Sequence, residues 1–118
     1  MKVDYRFYQD TYGGGNVPES VWKRLEQKAV QRIDNYTFGR TDCEWTGMAW
    51  ENRAKCAVCE IVEVMHYMDK MDGKKSENTD GYSVSFESSA TLQRKLYGIA
   101  GTYLAHTGLM DLEVEGDS

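Results

Sequence analysis

"ENTDGYSVSFESSATLQ", residues 77–93, contains the one segment of the chain that alternates like a β-strand. In an extended chain Tyr82, Val84 and Phe86 lie on one face and Ser83 and Ser85 on the other. Asp80-Gly81 is a tight-turn pair, so the reading is a short β-hairpin arm over about residues 74–87, with residues 75–78 folding back on the strand. A two-stranded hairpin is marginal in water and leaves an open backbone edge. Such an arm requires a partner, and in a chain with no other strand the simplest partner is another copy.

Everything around that arm reads as helix, and the expected fold is all-α: a bundle of about four helices, the hairpin arm before the last one, and an extended C-terminal tail. Downstream, Ser88 or Ser89 caps a helix whose apolar stripe is Leu92, Leu96, Ile99, Tyr103 and Leu104, with Gly108 placed as its terminator. Upstream lies the longest helix, roughly residues 48–71. There Trp50, Ala54, Ala57, Val58, Ile61, Val62, Met65 and Met68 recur at three and four, and Gly73 is the expected stop. Its broad apolar arc makes it the central helix.

Before it, Pro18 and Glu19 suit a first helical turn, Val21, Trp22, Leu25, Ala29, Ile33 and Tyr36 form a stripe, and Gly39 ends it. A short first helix is capped by Asp4, carries Tyr5, Tyr8 and Tyr12 on one face, and closes in the glycines at 13–15. Residues 1–108 thus read as a single helical domain. Residues 109–118 read as an extended or flexible tail in which Met110, Leu112 and Val114 alternate with Asp111, Glu113 and Glu115.

The formal charge of −5 argues against a nucleic-acid reader, which needs a basic patch to neutralise phosphates. The one basic cluster is Lys74-Lys75 with Lys70 nearby, followed at once by Glu77 and Asp80. No apolar run approaches the ~20 residues of a membrane span, and the N-terminus has no hydrophobic signal region, so the expectation is a soluble chain without membrane contact. Three cysteines, an odd number, fit a reducing compartment better than a disulfide scaffold.

Cys56 and Cys59 form a C-x-x-C inside a long helix, without the strand-to-helix start of a redox motif or the second pair of a structural zinc site. Cys43 and His66 are the residues that would complete such a site. Glu63 and His66 give one Glu-x-x-His, where a di-metal carboxylate bundle needs two plus further carboxylates. No nucleophile elbow surrounds Ser83, Ser85, Ser88 or Ser89, and the glycines at 13–15 follow a helix, not a strand. The expectation is therefore a non-enzyme with no cofactor, no metal site and no catalytic residue. The alternatives are a small helical metal- or thiol-dependent enzyme using Cys43, Cys56, Cys59 and His66, and a monomeric interaction module.

The sequence resembles the small head-tail connector, or adaptor, proteins of long-tailed double-stranded DNA bacteriophages and prophages. The resemblance runs through "YQDTYGG" (residues 8–14), "VPESVWKRLEQKAVQRIDNYTFGR" (17–40), the Ala- and Cys-rich central helix, "SENTDGYSVSF" (76–86) and "YLAHTGLM" (103–110). It departs at "MDLEVEGDS" (110–118), where the family more often has a Tyr-Arg-Gly-like ending. It implies a virion structural protein at the neck, made in the host bacterial cytoplasm. Copies of it form a homo-oligomeric ring, about 12 of them by cyclic repetition, around a channel for DNA. Its partners would be the portal protein and a head-tail stopper or tail-completion protein, and DNA would pass without sequence-specific binding. On this reading Tyr82, Ser83, Val84, Ser85 and Phe86 make the subunit interface. Leu109, Met110, Leu112 and Val114 make the portal or partner contact.

Overall fold

The N-terminal segment begins as its sequence implies: Oδ1 of Asp4 accepts the Phe7 N–H at 2.8 Å and starts a helical turn. The computed structural model describes the backbone of residues 1–77 and 82–111 and the side chains of residues 1–71 and 91–111. After its first turn the N-terminal helix widens into a π-helix, Phe7–Tyr12. It closes at Gly13, whose φ of 85° lies in the left-handed region that glycine enters without penalty.

Helix α1 (Glu19–Tyr36) follows, with Pro18 in extended conformation at its N-cap. Pro18 has no N–H to leave unsatisfied there. The helix ends where Thr37 and Gly39 return their N–H groups to the carbonyls of Ile33 and Asp34 at 3.0 and 2.8 Å. Helix α2 (Glu51–Glu77) starts with Oε1 of Glu51 accepting the Gly47 N–H at 3.1 Å. Helix α3 (Tyr82–Leu104) runs into a 3₁₀ turn, Ala105–Thr107, and stops at Gly108 (φ 79°). The protein is all-α, and no strand occurs among the described residues.

Helix α2 is central, in contact with α1, α3 and the N-terminal helix. Its buried Ala54, Ala57, Val58, Ile61 and Val62 meet Trp22, Leu25, Ala29 and Ile33 of α1 and Leu96, Ile99, Ala100 and Leu104 of α3 in one core. Ala54 and Ala57 are small enough to bring the helix backbones close, while each fully buried Leu or Ile contributes about 1.5–3 kcal/mol. Helices α1 and α3 run parallel along one seam. Arg32 reaches Gln93 (2.7 Å) and Tyr36 meets Tyr97 edge to face (5.2 Å), both pairs being 61 residues apart in sequence. Among the described residues no helix is long and apolar enough to cross a membrane.

Three expectations are corrected. The backbone at Tyr82, Ser83, Val84, Ser85 and Phe86 is helical, so these residues open α3 and form no strand. The expected Asp80-Gly81 turn lies outside the described residues. Tyr82 and Phe86 are four apart, a helical spacing as much as a strand spacing, and a helix satisfies its own backbone where an unpaired strand does not. Gly73 does not end α2, which continues to Glu77. One interior glycine costs about 1 kcal/mol, too little to break a helix of that length. Finally, α2 begins at Glu51, not near residue 48, because Gly47 (φ 86°) and the turn from Trp45 to Met48 precede it.

Candidate functional site

Two regions of the chain are candidates for contact with a partner. Among the residues whose side chains are described, the last fully buried one in α2 is Val62 and the first in α3 is Leu96. The α2 backbone continues fifteen residues past Val62 to Glu77, and α3 begins fourteen residues before Leu96, with Val64, Met65 and Leu92 still packed against the core. The expected interface residues, Tyr82 to Phe86, form the N-terminal end of α3.

The second feature is the corner that joins the end of α1 to the end of the chain. Phe38 is 55 % exposed and adopts φ +59°, a left-handed conformation that a bulky residue rarely takes. The Arg40 guanidinium lies over its ring, 5.2 Å from the centroid. Nη1 of Arg40 also donates to the carbonyls of Gly108 and Leu109 at 3.1 and 2.7 Å. Leu109, expected to begin a free tail, is buried in the core, and Met110 packs against it. The reason is the Gly108 turn, closed by the Asp111 N–H to the Gly108 carbonyl (3.3 Å), which folds the chain back onto the helices. Leu112 and Val114 lie outside the described residues.

The carboxylates of α2 serve the fold. Tyr8, fully buried, donates its hydroxyl to Glu63 Oε2 at 2.9 Å and accepts the Asn16 and Val17 N–H groups at 3.0 and 3.1 Å. Tyr12 reaches the other oxygen of Glu63 at 3.4 Å, and Tyr103 donates to Glu60 at 2.8 Å. Burial, reinforced by the adjacent Glu60 carboxylate, pushes the Tyr103 hydroxyl up to about 12. Burial likewise raises Tyr8 and Tyr12, with Glu63 adding to both. Glu60 and Glu63 therefore tie the N-terminal helix and α3 to α2.

A thiol or metal centre finds no support in this geometry. Among the described residues no three His, Cys, Asp or Glu side chains converge as a metal site would require. Cys59 is buried, Cys56 and Cys43 are half-buried, and the Cys43 thiol donates to the Arg40 carbonyl at 3.7 Å. Burial pushes the Cys59 thiol up to about 12 and raises Cys56 as well, which is the reverse of an activated thiolate. His66 is half-buried on α2.

An open cleft of about 640 Å³ borders the N-terminal segment, lined by Lys2, Arg6 and Lys55 on one side of the charge balance and Asp4, Asp10 and Glu44 on the other. This even mixture gives it no charge preference.

Sequence reasoning misses one buried charge. Glu26, 1 % exposed, accepts the N–H groups of Lys2 and Val3 through a single oxygen, each at 3.0 Å. One turn earlier Trp22 Nε1 donates to the Val3 carbonyl at 2.9 Å. The signal was present as a carboxylate inside the apolar stripe of α1, between Leu25 and Ala29. The chain matches no protein-family model, no curated protein and no solved structure in the comparisons made.

Proposed function

We propose that the chain is a head-tail connector subunit, a structural virion protein whose copies form a ring between the portal and the next connector or stopper, around a channel for DNA. The observation that supports this reading is the length of α2 and α3, whose ends at Glu77 and Tyr82 flank the expected turn of the arm. Residues 76–77 close α2 and residues 82–86 open α3, and this segment is one in which the resemblance to phage connectors is expressed. On this reading the start of α3 meets the neighbouring copy in place of a β-strand, with Tyr82, Val84 and Phe86 supplying apolar residues. A head-to-tail contact of this kind closes into a ring when its rotation allows.

The net charge of −5 suits a surface past which DNA slides, because an acidic wall repels phosphates. On this reading the C-terminal segment contacts a partner such as the portal, no catalytic step is involved, and the protein works at the virion neck.

Replacing residues 75–86 with a short glycine linker tests the assignment of the arm. Rings seen with the unaltered chain should disappear while the helical circular dichroism signal from the core remains. Rings that persist overturn the assignment.

A further inference from the structure

Two rare local geometries mark the surface. Phe38 is held at φ +59° with its ring 55 % exposed, and among the described residues it takes no part in the core. A bulky left-handed residue is strained, and such strain clusters at functional sites. The second is the π-helix at Phe7–Tyr12, a geometry that gathers at functional sites as well. Phe7, Asp10 and Thr11 of that helix line the open cleft of about 640 Å³, together with Met1, Lys2 and Glu44.

The two sites are complementary. With the Arg40 guanidinium 5.2 Å from the centroid of the Phe38 ring, the corner offers an apolar group and a cation side by side. Nη1 of Arg40 is taken by the Gly108 and Leu109 carbonyls, and among the described residues its other nitrogens have no acceptor. The cleft supplies both counterparts. Met1, 71 % exposed, and the half-buried Phe7 are apolar, while Asp10 and Glu44 present exposed carboxylates. The lysines of the cleft are already engaged, Lys55 with Glu51 at 2.8 Å and Lys2 with the Cys43 carbonyl at 2.6 Å. Asp10 has only the loose, exposed Arg6 at 3.7 Å, and Glu44 binds Thr46 through one oxygen. The charge left for a visitor is therefore negative.

Phe38 and Arg40 do not line the cleft, so corner and cleft are distinct surfaces of one chain. We propose that the Phe38–Arg40 corner of one copy docks into the N-terminal cleft of the next, with the ring against Met1 and Phe7 and the guanidinium facing Asp10 and Glu44. The contact is heterologous: each copy gives its corner to one neighbour and its cleft to the other. The inference rests on the connector reading for its occupant, because a ring subunit needs two different surfaces for its two neighbours. The left-handed backbone at Phe38 then has a use, since it holds the ring out of its own core and presents it to the next copy.

The test is sedimentation of the full chain over a concentration series. The unaltered chain should self-associate, and Phe38→Gly should weaken that association roughly 30-fold, the scale of a lost aromatic anchor. The same substitution relieves the strain and should raise the melting temperature, so weaker association in a more stable protein separates docking from folding. Thr11→Trp, which fills the cleft from its exposed rim, should weaken association equally with circular dichroism unchanged. Each variant keeps one surface intact, so an equimolar mixture of the two should form a one-to-one pair and nothing larger. An unaltered chain that stays monomeric at every concentration, either variant associating as the unaltered chain does, or a mixture that stays monomeric would each overturn the proposal. Association indifferent to both variants, with rings still seated on a portal, sinks this inference alone. The expected pattern beside a bare portal sinks the connector reading alone.

Discussion

Tyr8 donates its hydroxyl to Glu63 across 55 residues of sequence at 2.9 Å, and the same oxygen accepts two backbone N–H groups from the loop before α1. One phenol thus joins the N-terminal helix, the loop and α2. Tyr8→Phe keeps the ring but leaves Glu63 one donor short, the buried Val17 N–H unpaired and the part-buried Asn16 N–H without its acceptor. It should lower stability by about 1–3 kcal/mol, read as a lower denaturant midpoint at unchanged slope. Gly14→Ala should do comparable damage by steric means, since a Cβ there would lie 2.2 Å from the Tyr8 ring, and overpacking costs about 1–3 kcal/mol.

Glu26→Ala should release the N-terminus. The Lys2 and Val3 N–H groups lose their shared acceptor, and leaving buried donors unpaired costs about 1–3 kcal/mol. Amide exchange at Val3 should accelerate strongly, while amides in the middle of α2 stay protected. Unchanged protection at Val3 would mean that Trp22 alone holds the strap.

Stability should fall on the alkaline side. Cys59 moves from an ordinary 9.0 to about 12 and Tyr103 from 10.0 to about 12, so between those limits the folded state holds protons that the unfolded state has lost. Their contribution is fully present below pH 9 and is lost as pH rises toward 12. Denaturant midpoints measured across that range should decline, and Cys59→Ala should flatten the decline even though it opens a small cavity. At neutral pH the Cys59 thiol should stay unreactive to a thiol reagent until the protein is unfolded.

Arg40→Ala should loosen the end of the chain. It strips the Gly108 and Leu109 carbonyls of their donor and removes the cation over Phe38, lowering stability by about 1–3 kcal/mol. Phe38→Gly should act in the opposite direction. A left-handed bulky residue is strained by about 1–2 kcal/mol, more than an exposed cation–π contact of about 0.5–1 kcal/mol restores. A higher melting temperature for Phe38→Gly is the expected result.

The helices were legible in the sequence where apolar spacing and punctuation agreed. Trp22, Leu25, Ala29 and Ile33 are buried on α1 as their spacing implies, Pro18 and Gly39 bound that helix, and Leu96, Ile99 and Leu104 form the buried stripe of α3. The segment at 82–86 was not legible, because five alternating residues contain an i, i+4 pair and satisfy both periods at once. The π-turn at Phe7–Tyr12 was hidden for a related reason: the tyrosine spacing suits an α-helix equally well. The ties through Glu26, Glu63 and Arg40 span 23 to 69 residues, and no local pattern reports such distances. Leu109, read as the first residue of an extended or flexible tail, is buried because an aliphatic residue after a glycine turn can fold back into a core as readily as it can leave it.

The central claim is the proposed assembly on a portal, and the direct measurement is electron microscopy of the protein mixed with a phage portal protein. The connector reading predicts a ring of about a dozen copies seated beneath the portal, coaxial with its channel. A portal that stays bare at saturating protein would contradict it.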